Sequence, residues 1–405
     1  MDIRKNTFVF VVCGTREHVE TLHFSLAALR HFSKAGIVIV TDQSRNETEV
    51  VHDNIINIQT PVHFNHHQAS IYLKTGLHKF LPKGNLYCYL DTDVIACSNE
   101  VDTIFSQKNS VITFAPDHCL MPLFSPNAVH CDCIEQNTKH IHQLNELREK
   151  FDSNTQVTDP TQVEKQKELQ KKLVFIKRNR AGYLLTAFRF MLSPKAFKLD
   201  HDTFYHKKDR YWFDSQGKPI LYDIGDQVIK QIEKNSDLRW SYLKYRWLGP
   251  RGEDIYQLTC NHLKEYIASK FSITVKDENW QHWNGGVFLF DDASHPFLEA
   301  WHQKTLDIFT DPKWKTRDQG TLIATAWQFG LQGAPLLSKK YNFIADITST
   351  RLMLDKPNNQ ITDDAFLTRH TPAFIHIYHS FGQKGWDVWD WVSSKLPAKV
   401  QSLIN

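Results

Sequence analysis

Leu86-Tyr87-Cys88-Tyr89-Leu90-Asp91-Thr92-Asp93-Val94 is the stretch on which the fold turns. Its uncharged opening reads as a strand covered on both faces, the type found in parallel sheets of α/β proteins. The strand ends directly in two carboxylates one residue apart. In open α/β sheets ligands gather outside the carboxyl ends of the strands, so the placement itself suggests function. Two aspartates so close repel unless a cation lies between or beside them. A hard divalent ion with oxygen ligands, Mn²⁺ or Mg²⁺, would neutralise them and keep positions free for a diphosphate. The plain alternative is a pair of solvated turn carboxylates, since Asp-x-Asp alone is common; the strand before it favours a site.

Outward from this segment, strands and helices alternate. Phe8 to Cys13 and Ile37 to Val40 are continuous apolar, β-branched runs, and Ile55 to Ile58 is a shorter one. Residues 18–32 carry Val19, Leu22, Leu26 and Leu29 at helical spacing, and residues 66–81 predict a second amphipathic helix closed by Pro82-Lys83-Gly84. Such alternation means a mostly parallel sheet with helices on both faces. Residues 117–133 hold Pro122 and Pro126 and little periodicity, and read as an extended loop. Residues 134–176 are polar and helical, with a hairpin break near Asp159-Pro160, and 180–280 are aromatic-rich and mixed. A strand returns at Val287–Phe290, followed by helices over 294–309 and 319–327 and a last strand at 373–378. The expected organisation is one α/β core from 1–116 and 283–395, a large helical and irregular insertion over 117–282 on the acceptor side, and a tail over 396–405.

Composition narrows the function. Of 405 residues, 41% are hydrophobic and 23% charged, enough apolar material for a packed core. Lys plus Arg is 48 against 45 Asp plus Glu, a net +3, which argues against a nucleic-acid binder working through a broad basic field. No run approaches the roughly 18 apolar residues of a membrane span. The short apolar start after Arg4-Lys5 ends in Gly14-Thr15-Arg16 rather than a cleavage-type sequence, and reads as a first strand. Seven scattered cysteines do not make a disulfide framework, and a reduced, cytoplasmic setting is expected.

Four further signatures fall in the proposed core, and with the Asp-x-Asp strand they carry a resemblance. They are Trp283-Asn284-Gly285-Gly286-Val287-Phe288, Arg317-Asp318-Gln319-Gly320, Tyr341-Asn342, and His376-Ile377-Tyr378-His379-Ser380-Phe381-Gly382-Gln383-Lys384-Gly385-Trp386. The chain resembles GT-A-type glycosyltransferases, and most closely the retaining family 8 enzymes that use UDP-sugars. The resemblance implies a Rossmann-like GT-A fold and a nucleotide-sugar donor, with a glycan or glycolipid acceptor and no nucleic acid. It implies that Cys13, Gly14 and Thr15 hold the nucleotide and that Asp42 contacts the uracil or ribose. Tyr72-Leu73-Lys74 stands where the family has Tyr-x-Arg, so Lys74 would reach the diphosphate as a point charge rather than a fork. Asp91, Asp93 and His379 would hold Mn²⁺ or Mg²⁺, with Gly382 and Lys384 on the diphosphate. Here the last motif is one residue shorter than the family's His-x-x-Gly-x-x-Lys-Pro-Trp and has glycine for proline. Asp318, Gln319 and Asn284 would orient the sugar, while Tyr341-Asn342 reads as structural. The bland readings are a tight turn at Asn284-Gly285-Gly286 and a helix N-cap at Asp318. The resemblance favours retention, with the leaving phosphate as base for the acceptor; an inverting enzyme would need a carboxylate base.

Two constellations lie outside this scheme. Cys131-x-Cys133 with His140-x-His142 offers zinc-type ligands, but the spacing matches no common finger, and thiols with surface histidines are the plainer reading. Trp386, Trp389 and Trp391 with Lys395 and Lys399 suit a peripheral contact at the inner membrane face, or a helix packing its tryptophans on the core. The rival functions are a metal-dependent sugar nucleotidyltransferase, of which Gly14-Thr15-Arg16 is a faint sign, and a carbohydrate-binding protein without catalysis.

Overall fold

The apolar runs pair with one another through a parallel core. In the computed structural model, which describes residues 5–152, 160–208, 211–222, 225–277, 279–315, 318–346, 352–362 and 368–404, the leading strands are β1 (Asn6–Val12), β2 (Gly36–Thr41), β3 (Ile55–Asn57), β4 (Leu86–Leu90), β5 (Val94–Ala96) and β6 (Thr113–Leu120). A ten-residue strand, β7 (Gln281–Phe290), and two short ones, β8 (Phe343–Ile344) and β9 (Phe374–His376), complete those that matter for the site. The main sheet has the order β3-β2-β1-β4-β7-β6. Its first four strands are parallel, and β7 runs antiparallel to both β4 and β6. This is a mixed α/β fold with a parallel-rich sheet. The strand order reverses at β1/β4, the topological switch point of doubly wound sheets.

The two-residue period of the strands sorts their side chains onto two faces. Val9, Val11, Val38, Val40, Tyr87, Tyr89, Phe288 and Phe290 enter one core cluster. Phe8, Phe10, Val12, Ile39, Cys88, Leu90, Val287 and Leu289 enter the other. Burying each large side chain is worth about 2–3 kcal/mol, so both faces must be covered. Helix α1 (Arg16–Phe32) covers the second cluster with Val19, Leu22, Leu26 and Leu29. Helix α2 (His66–Thr75) covers the first with Ala69 and Leu73. It opens on a capping box between Asn65 and Gln68, which fixes where the helix begins. Further along the chain come α3 (Met121–Ala128), α4 (His262–Phe271), α5 (His295–Asp307), α6 (Asp318–Gln328) and α7 (Asp387–Lys395).

Three sequence expectations change here. The segment 117–133 is not an extended loop: β6 runs on to Leu120 and α3 follows. Pro122 lies in the first turn, where a missing N–H costs nothing. Pro126 lacks the N–H that would bond the Pro122 carbonyl, and the backbone N–H of Cys260 takes that carbonyl instead, at 3.1 Å. Secondly, the chain divides into the units Met1–Cys131 with Thr259–Asn405, and Asp132–Leu258, a narrower insertion than 117–282. α3 and α4 both contribute to the first unit's core, through Phe124, Ala128, Leu263 and Ile267, which is why the boundary moves inward. Thirdly, Trp389 and Trp391 are buried with Phe24, Ile95 and Ile375, so α7 packs its tryptophans on the core instead of presenting them to a membrane.

The second unit contains helices Cys133–Asp152, Pro160–Arg178, Arg180–Leu192 and Gly225–Asn235, with a four-stranded antiparallel sheet over residues 196–222. The break expected near Asp159-Pro160 falls between its first two helices; Asp159 itself is outside the described residues. Leu144, Ile232, Leu238, Trp247 and Ile255 form its own small core. Helix Arg180–Leu192 has no buried residue and leaves Leu184, Met191 and Leu192 exposed. No described helix is long and apolar enough to cross a membrane.

Candidate active site

The register of two sheets assembles the site. β7 lies antiparallel to β4 with Val287 opposite Leu90, so the next residues outward, Gly286 and Asp91, meet: Asp91 N–H donates to Gly286 O at 2.8 Å. β9 lies antiparallel to β5 with His376 opposite Val94, and Ile377 N–H donates to Asp93 O at 3.1 Å. His376 therefore arrives beside the Asp-x-Asp turn. Its Nε2 lies 3.2 Å from Asp93 Oδ1. Asp91, Asp93 and His376 each offer a ligand atom, all within 4.8 Å of one another.

The resemblance assigned the third place to His379, and the structure brings His376 there instead. His379 is exposed, and its backbone N–H, with those of Tyr378 and Ser380, donates to the Asp346 carboxylate. A strand period explains the difference: the pairing with β5 ends near His376, and the chain then leaves the sheet.

A relay of amides fixes the His376 ring. Asp117 Oδ2 accepts from Asn284 Nδ2 at 2.8 Å; Asn284 Oδ1 accepts from Gly286 N–H and from Asn342 Nδ2 at 3.0 Å; Asn342 Oδ1 faces His376 Nδ1 at 3.0 Å. Each carbonyl and amide end is thereby spoken for, so Asn342 Oδ1 must accept and His376 Nδ1 must donate. In the neutral ring Nε2 then carries a lone pair facing a carboxylate oxygen. Asp93 Oδ1 is buried and has no hydrogen bond. Two acceptors at that distance need a proton or a cation between them. A backing amide that orients a ligand imidazole is the usual second layer of a metal site. Two carboxylates and an imidazole thus fit Mn²⁺ or Mg²⁺, with Tyr89 O–H, 2.5 Å from Asp91 Oδ1, steadying the first carboxylate.

The charges are strongly coupled. Burial and the neighbouring Asp93 push the Asp91 carboxyl up, against the pull of Lys74. For Asp93 burial acts the same way, but His376 outweighs it and holds the carboxyl below its ordinary range. Burial alone would lower the His376 imidazolium; Asp93 and Asp91 raise it.

Lys74 is buried between Asp91 and Asp318, 3.3 Å from an oxygen of the first and 2.9 Å from one of the second. Burial works against its ammonium, and Asp318 and Asp91 more than compensate, keeping it firmly charged. It links the strand-end aspartates to the start of α6. Asp318 is the first residue of α6, and its carboxylate meets Lys74. Arg317 lies outside the described residues. Gln319 Nε2 points to Asp117 Oδ2 at 3.5 Å.

Asn284-Gly285-Gly286 is the middle of β7, where the pairing with β6 shifts register, and not a turn before a strand. The glycines are required by space. A Cβ on Gly286 would sit 2.7 Å from His376 Cε1 and 2.8 Å from Asp91 Oδ2, and one on Gly285 would crowd Lys74 and Asp318 at 3.3 Å.

One site residue escaped the sequence reading, and another has a more definite part than the structural one expected of it. Asp117 is 7% exposed within β6, and holds Asn284 and Gln319. Burial opposes its charge, but His282 and His118 hold it far below the ordinary carboxylate range. Asn342 was read as structural and proves to orient His376. An Asp directly after the largely apolar Val111–Pro116 was the available signal for Asp117; for Asn342 it was its place in the Tyr341-Asn342 signature.

The first loop is a separate corner. Gly14 has φ +142°, a conformation that favours glycine, and its N–H donates to Asn46 Oδ1 at 3.0 Å. Cys13 is buried, which pushes its thiol up to about 11, and Thr15 Oγ1 pairs with His18 Nδ1 at 3.0 Å. A cavity of about 250 Å³, lined by Val12, Cys13, His18, His66, Ser70 and Thr92, lies at the β1/β4 switch point. Asp42 is absent from it: both its oxygens are taken by Ser44 and Thr60. Gly382 has φ +76° in the exposed loop after β9, and Lys384 is exposed in the same loop.

No family model matches the chain, and no curated protein matches it significantly. Among solved structures it is similar to the WbbM bifunctional glycosyltransferase in its apo form (9% identity, 100% of this chain and 51% of that chain, TM-score 0.42). It is also similar to the galactosyltransferase LgtC in complex with donor and acceptor sugar analogues (9% identity, 98% and 99%, TM-score 0.37), and to mouse xyloside xylosyltransferase 1 (9%, 85% and 88%, TM-score 0.34). The chain thus spans about half the length of the first of these. Likenesses of this size decide nothing alone; the sheet order and the residues at its edge carry the reading of the site.

Proposed function

We propose that the chain is a metal-dependent glycosyltransferase of GT-A type that moves a hexose from a nucleoside diphosphate, UDP in the first instance, to a hydroxyl of a glycan or glycolipid. The observation that supports this above all is the meeting of Asp91, Asp93 and His376 at the carboxyl edge of a parallel-rich sheet, with a cavity at the adjoining switch point. Mn²⁺ or Mg²⁺ held by these three residues would supply the positive charge a departing diphosphate needs. His376 replaces His379 in that role on the geometry above.

The chain's own residues would then do the following. The β1 loop and the cavity lined by Cys13, His18, His66 and Thr92 seat the nucleoside half of the donor. Lys384, on the exposed loop after β9, offers a cation to the diphosphate. Lys74 is held by Asp91 and Asp318, so its contribution is to place those carboxylates rather than to grip phosphate. Asp318 and Gln319 stand at the helix edge where the sugar would lie and offer it an acceptor and a donor, while Asn284, buried and engaged by Asp117, Gly286 and Asn342, backs that edge instead of meeting the sugar. The bond from the anomeric carbon to the phosphate oxygen breaks with its electron pair going to the phosphate. The acceptor oxygen bonds that carbon, and its proton passes to the leaving phosphate oxygen. The resemblance to family 8 enzymes favours retention of configuration; oxocarbenium character at the ring carbon favours a polar lining.

The test is a panel of nucleotide sugars screened by thermal shift with and without Mn²⁺, followed by nucleoside diphosphate release for the best donor. A shift requiring both nucleotide and metal, with slow release of diphosphate, is the expected result. A shift with nucleoside triphosphates and pyrophosphate formation would favour nucleotidyl transfer, and no nucleotide-dependent shift would sink the enzymatic reading.

A further inference from the structure

A second cluster of metal-type ligands lies in the first unit, away from the strand-end aspartates. Cys131, Cys260 and His262 are distant in sequence, yet their ligand atoms lie within 4.8 Å of one another. The Cys131 and Cys260 sulfurs are 4.0 Å apart. Two sulfurs bound to one tetrahedral zinc at 2.3 Å lie about 3.8 Å apart, whereas a disulfide needs about 2.05 Å. Cys133 follows Cys131 with one residue between, and that spacing lets both sulfurs reach one ion. The sequence pairs are thus Cys-x-Cys and Cys-x-His, which together make the closed Cys₃His shell of structural zinc.

The surroundings hold the ligands in place without the ion. Cys260 N–H donates to the Pro122 carbonyl left open by Pro126. Ser125 Oγ accepts from Leu263 N–H at 3.0 Å, which leaves its own hydrogen for Cys260 Sγ at 3.1 Å. A hydroxyl donor to sulfur is the second-layer contact that a thiolate ligand calls for. On the other side, His130 N–H donates to Lys313 O and Lys315 N–H to Ala128 O, pinning the chain just before Cys131. Soft sulfur ligands select zinc, while the oxygen-rich Asp91/Asp93/His376 set selects manganese or magnesium, so the two sites would not compete.

We infer that Cys131, Cys133, Cys260 and His262 form a structural zinc site. Cys131 on one side and Cys260 with His262 on the other flank residues 132–258, so the ion would tie together the two points where that segment leaves and rejoins the first unit. His140 and His142, the partners suggested by sequence proximity, are not in the group; His142 Nδ1 instead lies 3.3 Å from Glu146 on an exposed helix face. This inference is independent of the proposed sugar transfer.

The experiment uses the full untagged chain, produced with zinc and reductant and dialysed against a weak chelator, with metal content measured by elemental analysis. About one zinc per chain is expected, falling to a small fraction in Cys131→Ser/Cys260→Ser and unchanged in Asp91→Asn/Asp93→Asn. Cobalt exchanged into the wild type should give thiolate charge-transfer absorption and the strong visible bands of a tetrahedral site. Should the double serine variant fail to fold, His262→Cys keeps the inference testable: it should retain zinc as a four-sulfur site. Wild-type protein that carries no zinc overturns the inference, as does zinc that persists when both cysteines are replaced. Recovery of a Cys131–Cys260 disulfide in place of metal overturns it too.

Discussion

Both β2 and β4 run out of the core to an aspartate, Asp42 after one and Asp91 after the other, and the fold treats the two carboxylates in opposite ways. Around Asp42 every oxygen is used. Oδ1 accepts from Ser44 N–H and Ser44 O–H, Oδ2 from Thr60 N–H and Thr60 O–H, and Arg45 Nε stands 3.4 Å away. Around the Asp91 turn the oxygens meet other ionisable groups instead: Lys74, Tyr89 and His376, with Asp93 Oδ1 lacking any hydrogen bond. A carboxylate closed off by backbone and hydroxyl donors is finished as structure. One left among titratable neighbours has capacity for something the chain does not itself contain.

The comparison can be broken most forcefully at Asp91. Asp91→Asn keeps the shape and leaves Lys74 paired with Asp318, so the fold should survive. Loss of the charge should lower donor-dependent diphosphate release on the order of 10³-fold, about 4 kcal/mol of transition-state stabilisation. Mn²⁺ binding followed by electron paramagnetic resonance should weaken in parallel. Full activity in a variant with unchanged circular dichroism would mean that the Asp91 turn is no more a site than Asp42.

A smaller effect sharpens the choice between two histidines. His376→Gln removes the ring that faces Asp93, and should cost about 10- to 100-fold in Mn²⁺ affinity or turnover. His379→Gln alters an exposed side chain and should cost less than about threefold on the same general reasoning for exposed positions. Equal losses in both, or the reverse order, would return the metal role to His379 and mean that the loop after β9 closes over the turn when ligands bind.

These two tests also mark where sequence was informative. The strands were legible because a parallel core needs uninterrupted apolar runs, and Phe8–Cys13, Ile37–Val40 and Leu86–Leu90 are such runs. The Asp-x-Asp turn was legible because it follows one of them directly. His376 against His379 was not, since only the β5–β9 register decides which of two nearby histidines reaches Asp93. α3 was hidden by Pro122 and Pro126, whose cost is met by the helix start and by the distant Cys260 amide. The pairing of Cys131 with Cys260 was hidden for the same reason: 132–258 lies between them, and local spacing pointed to His140 and His142. Asp42 was legible as a strand-end aspartate, but not its satisfaction by Thr60, which depends on the path of the chain after β3.

Asp42 gives the gentlest and most discriminating test. Asp42→Asn puts an NH₂ donor where one of the two oxygens accepted, facing the donors of either Ser44 or Thr60, so one oxygen's partners are lost. A cost on the order of 2–3 kcal/mol follows from hydrogen bonds to a charged acceptor. Burial acts against the Asp42 carboxylate, but the Ser44 and Thr60 donors outweigh it and hold its pKa below the ordinary 3.8. A depressed folded-state pKa means that the stabilisation is fully present above the unfolded value and is lost as the pH falls below it. Urea titrations at neutral pH should therefore show wild type ahead of the variant, and the gap should shrink on acidification below about pH 4. Donor affinity, measured at a temperature where both proteins are folded, should be nearly equal. The opposite pattern, unchanged stability with lost nucleotide binding, would show that Asp42 serves the uracil or ribose after all, and that full hydrogen bonding does not separate the two ends of the sheet.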